Sequence, residues 1–421
     1  MTGLVTLTVA ALALSGCAGS TKGEDSGAGS AGGALRSAPG FDADSGTFTV
    51  SAMQPLSGPL SPAGLALVKG MKIYYDQLNA KGGVDGKYKI KFSPENTQFN
   101  PQVAVPLYNR VKSDSVLFSG VLGTTIVKTL EPQITADDVT ALVDSSSAIY
   151  TKSEHLLPWG TPTQINMVNL VAYAADKLDK KKATFCSVTS GDDLGAENRD
   201  GIKYAVDKLG VTFKADVRVQ QGQTDFTSQV QQLQRGGCQV VLFGATTGHT
   251  PGVISASVQL GFDAQFLGQN NVYDPSFAKS PIAPYLQKHF LTTAIGVDWN
   301  SSAPGQKALR EGITAHGKGT KPSSYTELGY AHAMLTEAIL QKAVKNNDVS
   351  RAGILKASRS LGSFDYQGML PTYLYGEPAD RKPPLVTGIY RIDPKVPMGL
   401  APVDTTYTSP LAKEYAQDKV S

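Results

Sequence analysis

Side chains able to do chemistry are sparse in this 421-residue chain, and their spacing argues for binding more than for bond making. No G-x-S-x-G elbow, no H-E-x-x-H and no G-x-x-x-x-G-K-[ST] phosphate loop occurs. The five histidines, His155, His249, His289, His316 and His332, are scattered, and none stands at metal-ligand spacing from another His or a Cys. Gly191-Asp192-Asp193 begins like a calcium loop but lacks the later ligands, and reads as a turn and helix cap. No metal and no cofactor are expected, and catalysis would need a site that only the fold assembles. Hydroxyls do cluster, in Gly123-Thr124-Thr125 and in Asp144-Ser145-Ser146-Ser147. Two threonines ahead of an apolar helix bring free N–H groups and hydroxyls to the positive end of a helix dipole, where an anion is well held. The same residues also suit a plain N-cap, and the serine run suits a solvated turn as well as a contact loop.

The three cysteines divide by position. Cys17 ends an uncharged apolar leader, MTGLVTLTVAALALSGC, that is too short to span a bilayer. Small residues before the cysteine give Leu14-Ser15-Gly16-Cys17 the form of a cleavage site after an export h-region. The stretch resembles a bacterial lipoprotein signal, which implies a signal peptide over residues 1–16, cleavage before Cys17 and a diacylglyceryl group on its sulfur. No Lys or Arg precedes the apolar run, a departure from that pattern. Cys186, in the strand-like ATFCSVT, and Cys238, just before QVVLFG, remain as a pair. Adjacent parallel strands in an oxidising compartment would favour a bridge; two buried inert thiols are the alternative.

The elements that must position these groups follow from composition and period. Residues 17–45 are rich in Gly, Ser and Ala and read as a flexible tether. The remaining length exceeds what one hydrophobic core usually serves, so two lobes are expected. The balance of 39 basic against 36 acidic residues argues against a nucleic-acid partner. From Thr47 onward strand-like and helix-like periods alternate, then restart after Pro162, which predicts two doubly wound α/β lobes with parallel sheets. Residues 46–162 are assigned to lobe 1 and 163–291 to lobe 2. The chain is expected to return to lobe 1 over 292–362 and to lobe 2, as a hairpin, over 363–400, leaving 401–421 as a tail. Tyr150, Trp159, Tyr273 and Tyr325 fall near the predicted lobe crossings, as hinge packing or as ligand contacts.

Four short markers recur in this order: Pro55-Leu56-Ser57-Gly58-Pro59, Asn79-Ala80-Lys81-Gly82-Gly83-Val84-Asp85-Gly86, Asp225-Phe226-Thr227 and Leu328-Gly329-Tyr330-Ala331. With the leader and tether they make the chain, over about residues 47–392, resemble the leucine/isoleucine/valine-binding protein family, solute-binding lipoproteins of ABC importers with the type I periplasmic-binding fold. The resemblance implies a ligand cleft between the lobes, where Thr124 and Thr125 hold a ligand carboxylate and the loop with Ser145 and Ser147 supplies further contacts. It also marks departures. Ala63 stands where these amino-acid binders place an aromatic, Leu194 and His249 where they place tyrosines, and Asn270 where an acidic residue pairs with the ligand's ammonium. An Asn cannot supply the charge that offsets a desolvated ammonium.

The expectation is a monomeric, membrane-tethered capture protein on the outer face of the cytoplasmic membrane. It would close on a small carboxylate-bearing solute and deliver it to an ABC permease, with no bond made or broken. A ligand sensor of the same fold, or a surface enzyme, are the other classes.

Overall fold

The computed structural model describes residues 35–420, together with Met1 and Gly3. The rest of the leader, Cys17 and residues 18–34 of the tether lie outside the described residues.

The first lobe is built on a largely parallel sheet. Its strands are β1 (Phe41–Asp42), β2 (Thr47–Gln54), β3 (Lys89–Asn96), β4 (Leu117–Val121), β5 (Ala141–Leu142) and β6 (Leu156–Leu157). They follow the order β1-β2-β4-β5-β6, with β3 also on β2. Helices α1 (Ser61–Ala80), α2 (Pro101–Val111) and α3 (Thr124–Ala136) supply the crossovers. Asn100 caps α2 by accepting from the Gln102 amide, and Pro106 is accommodated inside that helix.

The pattern restarts with α4 (Thr163–Asp176), β7 (Thr184–Ser190), α5 (Asp193–Leu209), β8 (Thr212–Val219), α6 (Thr227–Arg235), β9 (Val240–Gly244), α7 (Thr250–Gln259), β10 (Gln265–Gly268), α8 (Ala283–His289) and β11 (Phe290–Thr293). Then come α9 (Pro304–His316), α10 (Ser324–Lys345), α11 (Arg351–Arg359), β12 (Ser363–Phe364), β13 (Tyr373–Leu374), β14 (Thr387–Ile392), β15 (Leu400–Tyr407) and α12 (Pro410–Tyr415). The second sheet runs β15-β14-β11-β10-β9-β7-β8. Its β7 to β11 part is parallel, and β14 and β15 join antiparallel. Each sheet has an apolar core on both faces, as a doubly wound layer requires.

Helices α9 and α10 return to the first lobe. Gly70 on α1 and Gly329 on α10 set how closely those helices pack. A Cβ on Gly70 would lie 2.1 Å from the Thr326 carbonyl oxygen, and one on Gly329 would lie 2.0 Å from that of Leu67. Cys186 on β7 and Cys238 before β9 are joined by a disulfide, their Cα atoms 5.8 Å apart.

Three boundaries differ from the expectation. Residues 35–45 are packed rather than free. Phe41 is buried against Phe48 and Tyr88, and β1 pairs with β2; one aromatic inside a polar stretch suffices to bind it to the core. The 363–400 segment is split. Here β12 and β13 pair with each other, and Tyr366, Tyr373 and Tyr375 are buried in the first-lobe core, so only β14 reaches the second sheet. The 401–421 tail is structured, because β15 covers the edge of β14, and Ala412 and Tyr415 of α12 are buried in the second-lobe core beside α4. The chain thus crosses between lobes near residues 158–162, 294–303 and 376–386.

Candidate functional site

Strand order reverses at β2 and β4 in the first sheet and at β7 and β9 in the second. Loops leaving the carboxyl ends of such strands diverge to opposite faces and open a crevice, the place where doubly wound sheets hold ligands. The loops after these four strands face one another across one cleft. Counting its open mouth, the cleft encloses about 750 Å³ of empty space.

The first lobe supplies the polar end. Gly123 is the N-cap residue of α3, with φ of 106° and no side-chain cap. Thr124 and Thr125 therefore open the helix instead of capping it, and its first N–H groups receive no capping side chain. Thr124 Oγ1 lies 3.2 Å from Ser145 Oγ, and both residues line the cleft beside Ser146. Thr125 Oγ1 donates across the cleft to Asp193 Oδ2 at 3.2 Å, and Lys128 Nζ lies 2.7 Å from Asp193 Oδ1. First-lobe α3 and second-lobe α5 are thus in contact, as in a closed cleft.

Asp144 belongs to the lining loop, yet its carboxylate is sealed from solvent. Gln54 Nε2 donates to Oδ2 at 2.6 Å, and His332 Nδ1 lies 3.1 Å from Oδ1 with neither side chain exposed. Trp159 Nε1 donates to the Asp144 carbonyl at 3.1 Å. Buried groups on β2, α10 and the first lobe crossing so fix the loop that presents Ser145.

The rest of the wall is mostly apolar: Leu60, Ala63, Phe99 and Leu122 from the first lobe, Leu194 from the second, and Ile295 from a crossing. Asn270, after β10, completes it; its amide N–H donates to Thr293 Oγ1 at 2.8 Å, and its side chain donates to Asn271. Asp192 caps α5 by accepting from the Gly195 amide at 3.1 Å. Glu197, one turn along α5, is buried, and that burial pushes its carboxyl up to about 7 against the influence of Ser147 and Lys128.

Of the residues singled out in the sequence, Ala63, Thr124, Thr125, Ser145, Leu194 and Asn270 meet in this cleft. Two do not. Ser147 is fully buried and caps the short turn Ala148–Tyr150, accepting from the Ile149 amide, so it faces the protein interior. His249 is buried at the start of α7, its ring between Thr246 and the Gln220 carbonyl. Burial lowers its pKa, and it borders only an outer extension of the cleft. Trp159 and Tyr325 line the cleft, whereas Tyr150 bonds the Thr124 carbonyl and Tyr273 that of Met398.

Sequence reasoning missed Phe99, Asp192, Thr246 and Thr247 as lining residues. Phe99 has φ of 55°, a left-handed conformation that nothing in the sequence of a bulky residue announces. Its ring lies where a side chain on Gly123 would stand, 2.5 Å from that Cβ position. The Gly123 in the strand-end motif is its one indirect signal.

A family model described as periplasmic binding protein matches residues 47–384. A leucine-, isoleucine-, valine-, threonine- and alanine-binding protein of Pseudomonas aeruginosa is 24% identical over 232 residues, 54% of this chain and 61% of that relative, under two thirds of its length. Among solved structures, a fatty acid ABC transporter substrate-binding protein from Thermomonospora curvata superposes with a TM-score of 0.84 at 25% identity, covering 90% of this chain and 97% of its own. A branched-chain amino acid ABC transporter protein from Thermus thermophilus with bound valine gives 0.74 at 18% identity, over 88% and 98% of the two chains, and speaks for the fold alone. These relatives are solute-binding proteins, and the family model spans most of the sequence. The chain belongs to the periplasmic binding protein family.

Proposed function

We propose that this protein captures a monocarboxylate with an apolar body and no α-ammonium, and hands it to an ABC permease. One observation carries the reading: the cleft has an anion-receptive end, at the uncapped start of α3 with Thr124 and Ser145, facing walls of Leu60, Ala63, Phe99 and Leu194. Helix N–H groups and hydroxyls favour a carboxylate, and the apolar walls favour a hydrocarbon body. By the family resemblance Asn270 stands where an acidic residue would pair with an amino acid's ammonium, and Asp192 on the same wall already accepts from Ser190 and the Gly195 amide through Oδ1. The fatty acid named for the Thermomonospora curvata protein agrees with this chemistry.

Capture works by closure about the three lobe crossings. A ligand shifts the open–closed balance only by its differential affinity for the closed form, and contacts from Thr124 and Leu194, on opposite lobes, supply that difference. The closed monomer is the form that the permease reads. Cys17, lipid-modified, keeps it at the outer face of the cytoplasmic membrane; stable retention takes sufficient acyl length.

The test is mass spectrometry of ligand released from denatured protein, followed by a thermal-shift comparison of leucine with 4-methylpentanoate, its analogue without the ammonium. Binding raises the melting temperature by linkage. The acid lacking the ammonium should give the larger rise. A preference for leucine, isoleucine or valine, lost on Asp192→Asn or Asn270→Ala, would refute the reading.

A further inference from the structure

The cleft does not end at its lining. Trp159, Asn270 and Ile295 border it on one side and, on the other, a second cavity of about 850 Å³ of empty space, open rim included. The second cavity lies among all three lobe crossings. Its walls include Ala294, Val297, Leu370, Pro371, Val386 and Tyr390.

Its buried polar wall groups are hydrogen-bonded within the protein, and Thr405 and Thr406 stand on its exposed rim. Asn166 Oδ1 accepts from Thr387 Oγ1 at 2.8 Å, Tyr390 Oη donates to the Gly296 carbonyl at 3.3 Å, and Thr161 Oγ1 donates to the Val386 carbonyl. Nothing in that set asks for a polar guest. Gly160, with φ of 57°, adds free room, since a Cβ there would meet no atom within 4 Å. The outer extension at the other end of the cleft is bordered by Pro59, Leu60 and Phe99 as well as by Gln220, Gln221, Gln223 and Thr224, and it touches none of the lobe crossings.

Resting on the carboxylate reading above, we infer that this hinge cavity is a tail compartment of the ligand site. It takes the aliphatic chain of a medium- or long-chain monocarboxylate past a gate of Trp159, Asn270 and Ile295. The head stays at Thr124 and Ser145, and the chain runs toward the crossings. Because the compartment lies between the segments that bend, a chain filling it stabilises one hinge geometry, so ligand length and closure are coupled.

The test is calorimetric titration of the full chain, stripped of ligand, with straight-chain carboxylates from hexanoate to hexadecanoate. Burial of each methylene should raise affinity about fourfold until the compartment is full. Ala294 and Val386 are half-buried on its wall. Ala294→Phe and Val386→Phe, each checked for an unchanged ligand-free melting temperature, should leave hexanoate binding within about twofold and weaken dodecanoate at least about tenfold. In the wild type, dodecanoate brominated at mid-chain should quench tryptophan fluorescence, since Trp159 stands at the gate. Hexanoate binding with no gain for longer acids, unaltered by either variant and without quenching, would overturn the tail compartment and leave the carboxylate reading intact. Failure of every acid to bind would overturn both.

Discussion

The contact between α3 and α5 offers a direct measure of what holds the cleft shut. Lys128 and Asp193 lie on opposite lobes, 2.7 Å apart, with side chains 44% and 35% exposed. A pair this wet is screened, so it is worth only about 0.2–1 kcal/mol. The Thr125 hydroxyl on the same carboxylate adds a partly solvated hydrogen bond of about 0.5–1 kcal/mol. Asp193 also sits in the first turn of α5, where it favours the helix whether the cleft is open or closed. Asp193→Asn alone would mix the two effects. A double-mutant cycle with Lys128→Met isolates the cross-lobe part.

The expected coupling is about 0.5–1 kcal/mol, or about two- to fivefold in ligand affinity when the unliganded closed state is minor. It should appear as faster ligand release with little change in capture rate, because the contact forms only on closure. It should fade in high salt. Calorimetry and stopped-flow fluorescence, using the ligand identified by mass spectrometry, read both quantities. If the four affinities prove additive within about 0.3 kcal/mol, or if the coupling appears equally in unfolding midpoints without ligand, the pair is not a closure contact.

Glu197 and Glu327 are buried carboxyls pushed up to about 7 and about 8 from a usual 4.5, in both cases chiefly by burial. The folded state therefore binds more protons than the unfolded chain between about pH 4.5 and those values. Stability should fall as pH rises through that window. Glu327→Gln should flatten part of this slope in urea melts and stabilise the protein at pH 8; an unchanged slope would contradict the assignment. Opening the Cys186–Cys238 bridge, which spans 52 residues, should cost about 4 kcal/mol by loop entropy, read as a lower denaturation midpoint of Cys186→Ser/Cys238→Ser. Gly329→Ala should destabilise by about 1–3 kcal/mol, since its new methyl group meets the α1 backbone; a neutral melt would show that the two helices can separate freely. Asn270→Asp should move specificity toward α-amino acids, with the thermal-shift ranking of leucine and 4-methylpentanoate reversing.

The alternating periods from Thr47 onward determined, without coordinates, that the chain forms doubly wound parallel layers, because period 2 and period 3.6 record locally which side of an element is buried. Strand-end hydroxyls at Thr124 and Ser145 were legible for a related reason: ligands collect where parallel strands end. The absence of catalytic and metal motifs was likewise plain in the residues.

Tertiary structure decided what local pattern cannot encode. Ser145 and Ser147 are equivalent in sequence, but the short turn at Ala148–Tyr150 draws Ser147 inward and leaves Ser145 in the cleft. Lys128 and Asp193 are 65 positions apart and meet only because the two lobes lie against each other there. Phe41 stands in a tether-like composition, and its burial depends on the partner surface of Phe48 and Tyr88. The hinge cavity is shaped by segments spread along the chain from Trp159 to Thr406. Such juxtapositions are set by how finished sheets pack and where their connections cross, and no window of sequence contains that information.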